Sequence, residues 1–235
     1  MAFHLIFAAL LSFAATVAEP EPAIGAWEQV HGDGTVSTLI VTDKHFSVAH
    51  YDREPAKFLS TRGGSWSVGE DGALRLNWEF STDQPEIIGT THTPSFRLDD
   101  DTMFVDDQTW KRIDHGAPGA LDGAWLMTGR KRDGEIQTRM PGARRTMKIL
   151  SGTRFQWIAY NVETQEFSGT GGGTYTTEDG KYTENIEFFS RDNATVGKSL
   201  EFRYDLVDGV WHHDGKSSKG DPMYEVWSPR SKVGI

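Results

Sequence analysis

Apolar and polar residues alternate along most of the chain in short runs that turn-forming residues separate. Eight such runs start near Trp27 and eight start near Trp125, and the two groups end near Trp110 and Trp227. A period of two places successive side chains on opposite faces of a strand, whereas the helical period of 3.6 is weak beyond the first 18 residues. The pattern therefore predicts an all-β protein.

The two groups of strands share a sequence repeat. Residues 42–68 recur 109 positions later as residues 151–177, with aromatic, threonine and glycine positions in common. After a one-residue shift, residues 77–80 recur 108 positions later as residues 185–188. Self-similarity of this size indicates a duplication that gives two similar domains.

Loop lengths follow the same order in both copies. The second-to-third, fourth-to-fifth and sixth-to-seventh connections are short and carry pairs such as Asp-Gly, which tolerate positive φ in hairpins, and the other connections are longer. In an up-and-down meander, alternate connections lie at the same end, so short turns close one end and long loops surround the other. We predict two tandem eight-stranded up-and-down barrels, in residues 19–115 and 120–235, joined by a linker at residues 116–119.

Three segments of the second copy carry a family resemblance. They are Gly123-Ala124-Trp125, the Gly-Gly-Thr-Tyr run at residues 172–175, and residues 178–188. Together they resemble the small lipocalin-like, calycin-type domains of bacterial secreted proteins. The resemblance implies a barrel that binds a small molecule. The first copy departs from it at Pro94, inside the sixth strand, where proline removes a ladder hydrogen bond.

The alternation also predicts which side chains of the second barrel face its lumen. Polar neighbours such as Lys148 and Gln156 are expected on the outer face. Tyr182, Glu184 and His213 fall on the inner face, which is otherwise apolar. The predicted apolar lining comprises Trp125, Met127, Met147, Ile149, Phe155, Trp157, Tyr175, Ile186, Phe188, Leu200, Phe202, Tyr204, Leu206, Trp211 and Trp227.

Glu184 and His213 are the candidate functional residues of this lumen, because the first copy has the apolar residues Leu76 and Val105 at the equivalent positions. Burying a carboxylate or an imidazole costs free energy unless the group is paired or contacts a ligand. The two residues either satisfy each other or a water, or orient a ligand, or serve as the acid/base pair of an isomerase, cyclase or hydratase. Ligand contacts are predicted for Trp157, Tyr175, Tyr182, Tyr204, Trp211, Arg139 and Arg145.

The first long loop of the second copy is 11 residues longer than its counterpart and is rich in arginine. Loops of this kind are commonly lids, and the guanidinium fork suits carboxylate or phosphate. The favoured hypothesis is therefore a binding protein for a small, partly apolar, anionic molecule. Docking on the first barrel is the alternative, since residues 19–115 hold 18 acidic and 8 basic residues while residues 116–235 hold 16 of each.

Metal and cofactor signals are weak in this sequence. His50 and His92 fall on the inner face of the first barrel, but a zinc site needs three or four ligands, so we expect no metal. Phosphate-binding glycine loops and hydrolase motifs are missing, so we expect no cofactor. Glu79 and its counterpart Glu187 fall on the outer face and are expected to make cross-strand, loop or inter-barrel contacts.

The first 18 residues have a different pattern. Residues 5–17 are apolar and end before Glu19 in a small-residue site that signal peptidase accepts, and the run is shorter than the about 20 residues of a membrane span. We predict a signal peptide at residues 1–18 and a secreted or periplasmic protein, with a buried core helix as the alternative. The chain has no cysteine and hence no disulfide.

The sequence also limits the partners of the protein. The acidic balance of the first copy argues against nucleic acid as a partner. No segment after residue 18 is apolar enough to span a membrane. The predicted partner is a small molecule, and the sequence does not determine the oligomeric state.

Overall fold

The computed structural model describes residues 23–117 and 119–235, so the predicted signal peptide lies outside the described residues. Residues 25–114 contain the nine strands of one antiparallel sheet. These strands are β1 Gly25–Val30, β2 Val36–Val41, β3 His45–Arg53, β4 Ala56–Val68, β5 Leu74–Ser81, β6 Thr91–His92, β7 Phe96–Asp99, β8 Thr102–Val105 and β9 Gln108–Asp114.

Residues 123–229 contain the second antiparallel sheet. Its strands are β10 Gly123–Arg132, β11 Glu135–Thr138, β12 Arg144–Leu150, β13 Arg154–Asn161, β14 Phe167–Glu178, β15 Lys181–Phe189, β16 Ser199–Val207, β17 Val210–Lys216 and β18 Pro222–Pro229. The short helix α1 (Arg230–Val233) follows, and 3-10 turns lie at Pro85–Ile87 and Asn193–Thr195. Within the described ranges, no helix has the length and hydrophobicity needed to cross a bilayer.

The two sheets curl into barrel-like units that differ in closure. In the second unit β10 pairs with β18, which closes β10 and β12 to β18 into an eight-stranded barrel, while β11 extends as a hairpin with β10. The first sheet ends at β6 and β7, and among residues 23–117 no backbone ladder joins these two strands. The predicted all-β class with two barrel-like units is confirmed, and the first unit is open along one seam.

The seam lies where the sixth predicted strand is interrupted. Pro94 separates β6 from β7 and has no N–H to donate to a ladder. Asp106, in the turn after β8, binds the residues on both sides of Pro94. Its carboxylate accepts hydrogen bonds from the Ser95 backbone N–H (2.9 Å) and from His92 Nε2 (2.7 Å). The open edge is therefore an ordered loop rather than a continued strand.

Matched β-bulges control which side chains face outward. Glu79 on β5 and Glu187 on β15 are each inserted as an extra residue opposite two glycines of the neighbouring strand. A Cβ on Gly64 or Gly173 would lie 1.9 or 2.0 Å from a backbone oxygen, so only glycine fits there. Each bulge shifts the alternation by one position, and the residue after it faces away from the lumen.

The outer faces of the two sheets pack against each other. Buried apolar side chains from both sheets meet there in two clusters. One comprises Ile40, Phe80, Ala124, Leu126, Met147, Ile149, Ile158 and Tyr160, and the other comprises Val36, Ala49, Tyr51 and Phe188. The two units therefore share a hydrophobic core of their own between the barrels.

This interface corrects part of the predicted lumen. Met147, Ile149 and Phe188 were expected to face inward, but they are buried between the sheets. The prediction assumed a solvated outer face, whereas the first sheet covers it. Lys148, between two of these residues, consequently points into the barrel. Leu206 was also expected inside, and it is 45% exposed near the β16–β17 turn.

Polar contacts across the interface are matched as well. Tyr51 Oη donates to Glu187 Oε2 at 2.9 Å, and Tyr160 Oη, 109 positions later, donates to Glu79 Oε2 at 2.7 Å. Each tyrosine ring also contacts the phenylalanine that follows the other sheet's bulge, with centroids 4.8 and 4.9 Å apart. Both glutamates therefore make the inter-barrel contact, which was one of the contacts expected for them.

Arginines bind both glutamates, within the second unit at Glu187 and across the interface at Glu79. Arg154 Nη1 donates to Glu187 Oε2 at 2.6 Å, and Glu79 accepts from Arg145 at 3.0 Å and from Arg230. Arg145 was expected at the ligand mouth, but it is bound to the acidic first unit instead. For this residue of the basic insertion, the docking interpretation describes the structure.

Candidate functional site

The lumen of the closed barrel contains a cavity of about 340 Å³ that reaches the end with the long loops. Small-molecule sites typically have volumes of about 300–1,000 Å³. Apolar side chains supply much of the wall. They are Trp157, Ala159, Ile186, Phe189, Leu200, Phe202, Met223 and Trp227.

A buried ion pair lies in the wall of this cavity. Lys148 Nζ is 2.7 Å from Glu184 Oε1, and both side chains are 5% exposed. The Tyr182 hydroxyl donates to the same oxygen at 2.9 Å. The ammonium also lies 4.9 Å from the Trp211 ring and 5.2 Å from the Trp227 ring, within cation–π range. These contacts offset the desolvation of the two charges and hold them at one point of the lumen.

His213 faces the same cavity from β17. Its ring stacks on Trp211 with centroids 5.3 Å apart and meets Phe202 edge-on at 4.1 Å. The residue is 1% exposed, and neither ring nitrogen has a hydrogen-bond partner among the residues described. Burial, assisted by Lys148, holds the pKa of His213 well below 6.5. The imidazole is therefore neutral and presents one donor and one acceptor without partners.

Glu225 is a second acidic side chain in the cavity. It lies directly opposite His213 in the β17–β18 ladder, and burial raises the pKa of its carboxyl group. Arg130 of β10 lies 3.3 Å from it. Burial and the arginine therefore act on this carboxyl group in opposite directions.

Basic side chains surround the mouth. The Arg191 guanidinium lies 5.3 Å from the Trp157 ring centroid and donates to the Ser168 carbonyl oxygen at 2.9 Å. Arg144 is exposed, and no acidic side chain of the described ranges forms an ion pair with it. In all, four basic and two acidic side chains line the cavity. This excess of positive charge favours an anionic group at the mouth.

The structure brings together some of the residues that the sequence predicted. Trp157, Glu184 and His213 line the cavity. Tyr182 and Trp211 are fully buried behind them and contact the ion pair and the imidazole. These two residues position the polar groups rather than forming the cavity surface.

Other predicted contacts lie elsewhere. Tyr175 Oη donates to the Ser151 carbonyl oxygen within the core, and Tyr204 packs against the edge of that core. Arg139 lines a separate depression along the β10–β11 hairpin. Arg145 lies between the barrels, as described above. The cavity therefore includes fewer of the predicted residues, and it is lined in addition by side chains of β12 and β18.

Sequence reasoning missed Lys148, Glu225 and Arg191. Glu225 lies two residues before Trp227, so the alternation that placed Trp227 inside also places Glu225 inside. Lys148 lies two residues before Leu150, which packs in the lumen, so alternation along β12 places Lys148 on the inner face as well. Arg191 lies in the loop after β15, where the strand period carries no signal.

The two histidines of the first unit have separate partners. His50 Nε2 is 2.9 Å from Thr35 Oγ1, and its ring lies 4.9 Å from that of His31. His92 is exposed and pairs with Asp106 at the seam. Within residues 23–117 and 119–235, no three His, Cys, Asp or Glu side chains are grouped so that they could hold a metal ion.

Comparison with known protein families concerns the second barrel. A family model described as a domain of unknown function, DUF4488, matches residues 120–229. The match runs from just before β10 to the end of β18 and includes every residue that lines the cavity. No curated protein matches the chain. The chain is thus similar to this family over its closed barrel, which is less than half of its length.

Proposed function

We propose that this protein binds a small, partly apolar, anionic molecule in the cavity of the second barrel. The observation that carries the proposal is the buried, unpartnered imidazole of His213. An unmade hydrogen bond at a buried polar group costs about 1–3 kcal/mol. His213 lines the cavity, so a ligand whose polar groups reach its ring nitrogens would remove this cost.

The walls and the mouth define the ligand class. Trp157, Phe189 and Met223 offer apolar and aromatic surface for the body of the molecule. The unpaired Arg144 at the mouth offers a bidentate donor for a carboxylate, sulfonate or phosphate. An amphipathic anion satisfies both requirements at once.

The enzymatic alternative would use Glu184 and His213 as an acid/base pair. Glu184 instead accepts from Lys148 and Tyr182 through Oε1, and no hydrogen bond within the described ranges joins it to His213. Binding requires only the cavity and its polar groups, whereas catalysis also requires a geometry between the pair. We therefore favour binding.

We also propose that the two units arose by tandem duplication of a lipocalin-like domain. The matched tyrosine–glutamate contacts support this origin, because residues that the sequence repeat aligns, 109 positions apart for the tyrosines and 108 for the glutamates, play the same role in both units. Secretion remains part of the proposal through the signal peptide expected at residues 1–18. Fractionation of expressing cells followed by N-terminal sequencing tests it: a chain that begins at Glu19 is expected outside the cytoplasm, and a protein that stays in the cytoplasm and keeps Met1 contradicts export.

Binding of anilinonaphthalene sulfonate, an anionic aromatic probe, tests the function. Ala159→Phe places a phenyl ring in the second cavity from β13, and we expect it to weaken the probe's affinity by about 5- to 150-fold, since overpacking is unfavourable by about 1–3 kcal/mol. Val48→Phe, which enlarges a side chain in the first unit, is the matched control and should leave affinity within about twofold.

Circular dichroism and thermal unfolding are measured alongside probe binding. These measurements exclude loosened variants, which bind the probe non-specifically. A folded Ala159→Phe protein that binds the sulfonate as tightly as the wild type would overturn the proposal. Native mass spectrometry of the purified protein then identifies the mass of any molecule that it retains.

A further inference from the structure

We propose a second binding site, for a neutral apolar molecule, inside the open first unit. Its cavity measures about 430 Å³ and is larger than that of the closed barrel. The walls are formed mainly by aliphatic and aromatic side chains, among them Val48, Leu76, Trp78, Phe96 and Val105. A cavity of this size and composition takes a hydrophobic molecule rather than structural water, which needs several polar partners.

Equivalent positions in the two units show that the charges are missing from this cavity. Leu39, Leu76 and Val105 occupy the places of the buried lysine, glutamate and histidine of the second barrel. Gln108 stands where the second barrel has its cavity glutamate of β18. The ligand of the first unit therefore meets no buried charge at these positions.

The rim also disfavours an anion. Arg62 and His92 are the basic side chains that line the cavity, and both have partners. Arg62 Nη1 donates to Gln84 Oε1 at 3.1 Å and its guanidinium lies over Trp78, while His92 pairs with Asp106 at 2.7 Å. Residues 19–115 carry 18 acidic and 8 basic residues, so the surrounding field repels negative charge.

The seam gives this cavity an opening that the closed barrel lacks. Leu74 of β5 and Phe96 of β7 face the cavity from opposite sides of the seam. The described residues place no backbone ladder between these strands, so a molecule that passes between them breaks no inter-strand hydrogen bond. A lateral gap bordered by apolar side chains suits a poorly soluble ligand.

A neutral probe with the same ring system as the anionic one tests this site. N-phenylnaphthylamine lacks the sulfonate, and we expect it to bind the full chain with enhanced fluorescence. Val48→Phe should weaken this binding by at least about tenfold, whereas Ala159→Phe should change it by less than about twofold. Each variant thus affects one probe, so the first-unit site and the second-barrel site can fail independently.

A second variant guards against misfolding. Val105→Phe fills the same cavity from β8 and should reproduce the loss, with thermal unfolding used to verify both proteins. If the wild type does not bind the neutral probe, the proposal is wrong. It is also wrong if folded Val48→Phe and Val105→Phe proteins bind the probe normally, or if Ala159→Phe abolishes that binding.

Discussion

The two units of this protein share a strand plan but differ in what they enclose. The second is closed and surrounds Lys148, Glu184 and His213, whereas the first is open and has Leu39 and Leu76 in place of the ion pair. Features common to both are the glycine-dependent bulge, the bulge glutamate and the tyrosine that binds it. These shared residues maintain the outer face, where the units meet, whereas the lumens differ at the positions of the ion pair.

The largest expected effect comes from breaking the buried ion pair. Lys148→Leu introduces the residue of the first unit but leaves Glu184 as an uncompensated charge, which destabilises by about 3–5 kcal/mol. Leu39→Lys is the reverse change and buries an unpaired ammonium in the first unit. Urea unfolding measures both free energies of unfolding. A loss below about 1 kcal/mol for Lys148→Leu would show that water reaches the pair.

The double variant sharpens this comparison. Lys148→Leu with Glu184→Leu removes both charges, so most of the lost stability should return. Recovery remains partial because the Tyr182 hydroxyl loses its acceptor, at about 1–3 kcal/mol. A double variant less stable than Lys148→Leu alone would contradict this account of the lumen.

The next largest expected effect concerns the two interface glutamates, Glu79 and Glu187. Glu79 accepts from Arg145, Arg230 and a tyrosine, so Glu79→Gln should cost about 1.5–3 kcal/mol through weaker charge-assisted hydrogen bonds. Glu187 has one arginine and is more exposed, so Glu187→Gln should cost about 1 kcal/mol. Guanidinium unfolding at matched ionic strength compares them, and equal losses would remove the predicted asymmetry.

A pH series tests the buried imidazoles. Burial lowers the pKa of His213 well below 6.5 and that of His45 to about 3. Both groups take up protons on unfolding below about pH 6.5. The free energy of unfolding therefore decreases as the pH is lowered, by at most about 1.4 kcal/mol per pH unit for each histidine. His213→Val removes one of them and should halve their combined slope between about pH 6 and 5.

The carboxyl groups do not obscure this slope. The pKa of Glu225 is raised, so its contribution to stability is present below the unfolded value and lost as pH rises through the folded one. That contribution has the opposite sign and is common to wild type and variant. Unfolding curves collected at each pH give the difference directly, and identical slopes would mean that His213 is protonated in the fold.

Much of this architecture could be predicted from the sequence, because alternation and turn residues determine strands and connections locally. The inner face was predicted correctly for Trp157, Glu184 and His213. The prediction was wrong for Met147 and Ile149, because no local sequence pattern reveals that another sheet covers the outer face. At Phe188 the bulge shifted the register, although the glycines opposite it were visible as a repeated pair.

The candidate site was harder to predict than the fold. Its polar members come from β10, β12, β15, β17 and β18 and meet only after the barrel closes. Arg145 shows the same difficulty, since a basic insertion supplies side chains both to the mouth and to the interface. Pro94 was recognised as a departure from the strand pattern, but the resulting seam depends on pairing across the whole sheet.

The smallest expected effect concerns that seam. Residues 91–96 lie at the open edge, whereas the equivalent residues 199–204 lie in β16, which pairs with a strand on each side. Hydrogen-exchange mass spectrometry should therefore show faster exchange in the first segment than in the second. Asp106→Ala removes the acceptor of Ser95 and His92 and should speed exchange of residues 91–96 further, by about 1 kcal/mol of local opening. Residues 199–204 serve as the internal control, because Asp106 contacts none of them. Equal protection of the two segments in the wild type would mean that the first unit closes in solution, and the contrast between the two barrels would then rest on their lumens alone.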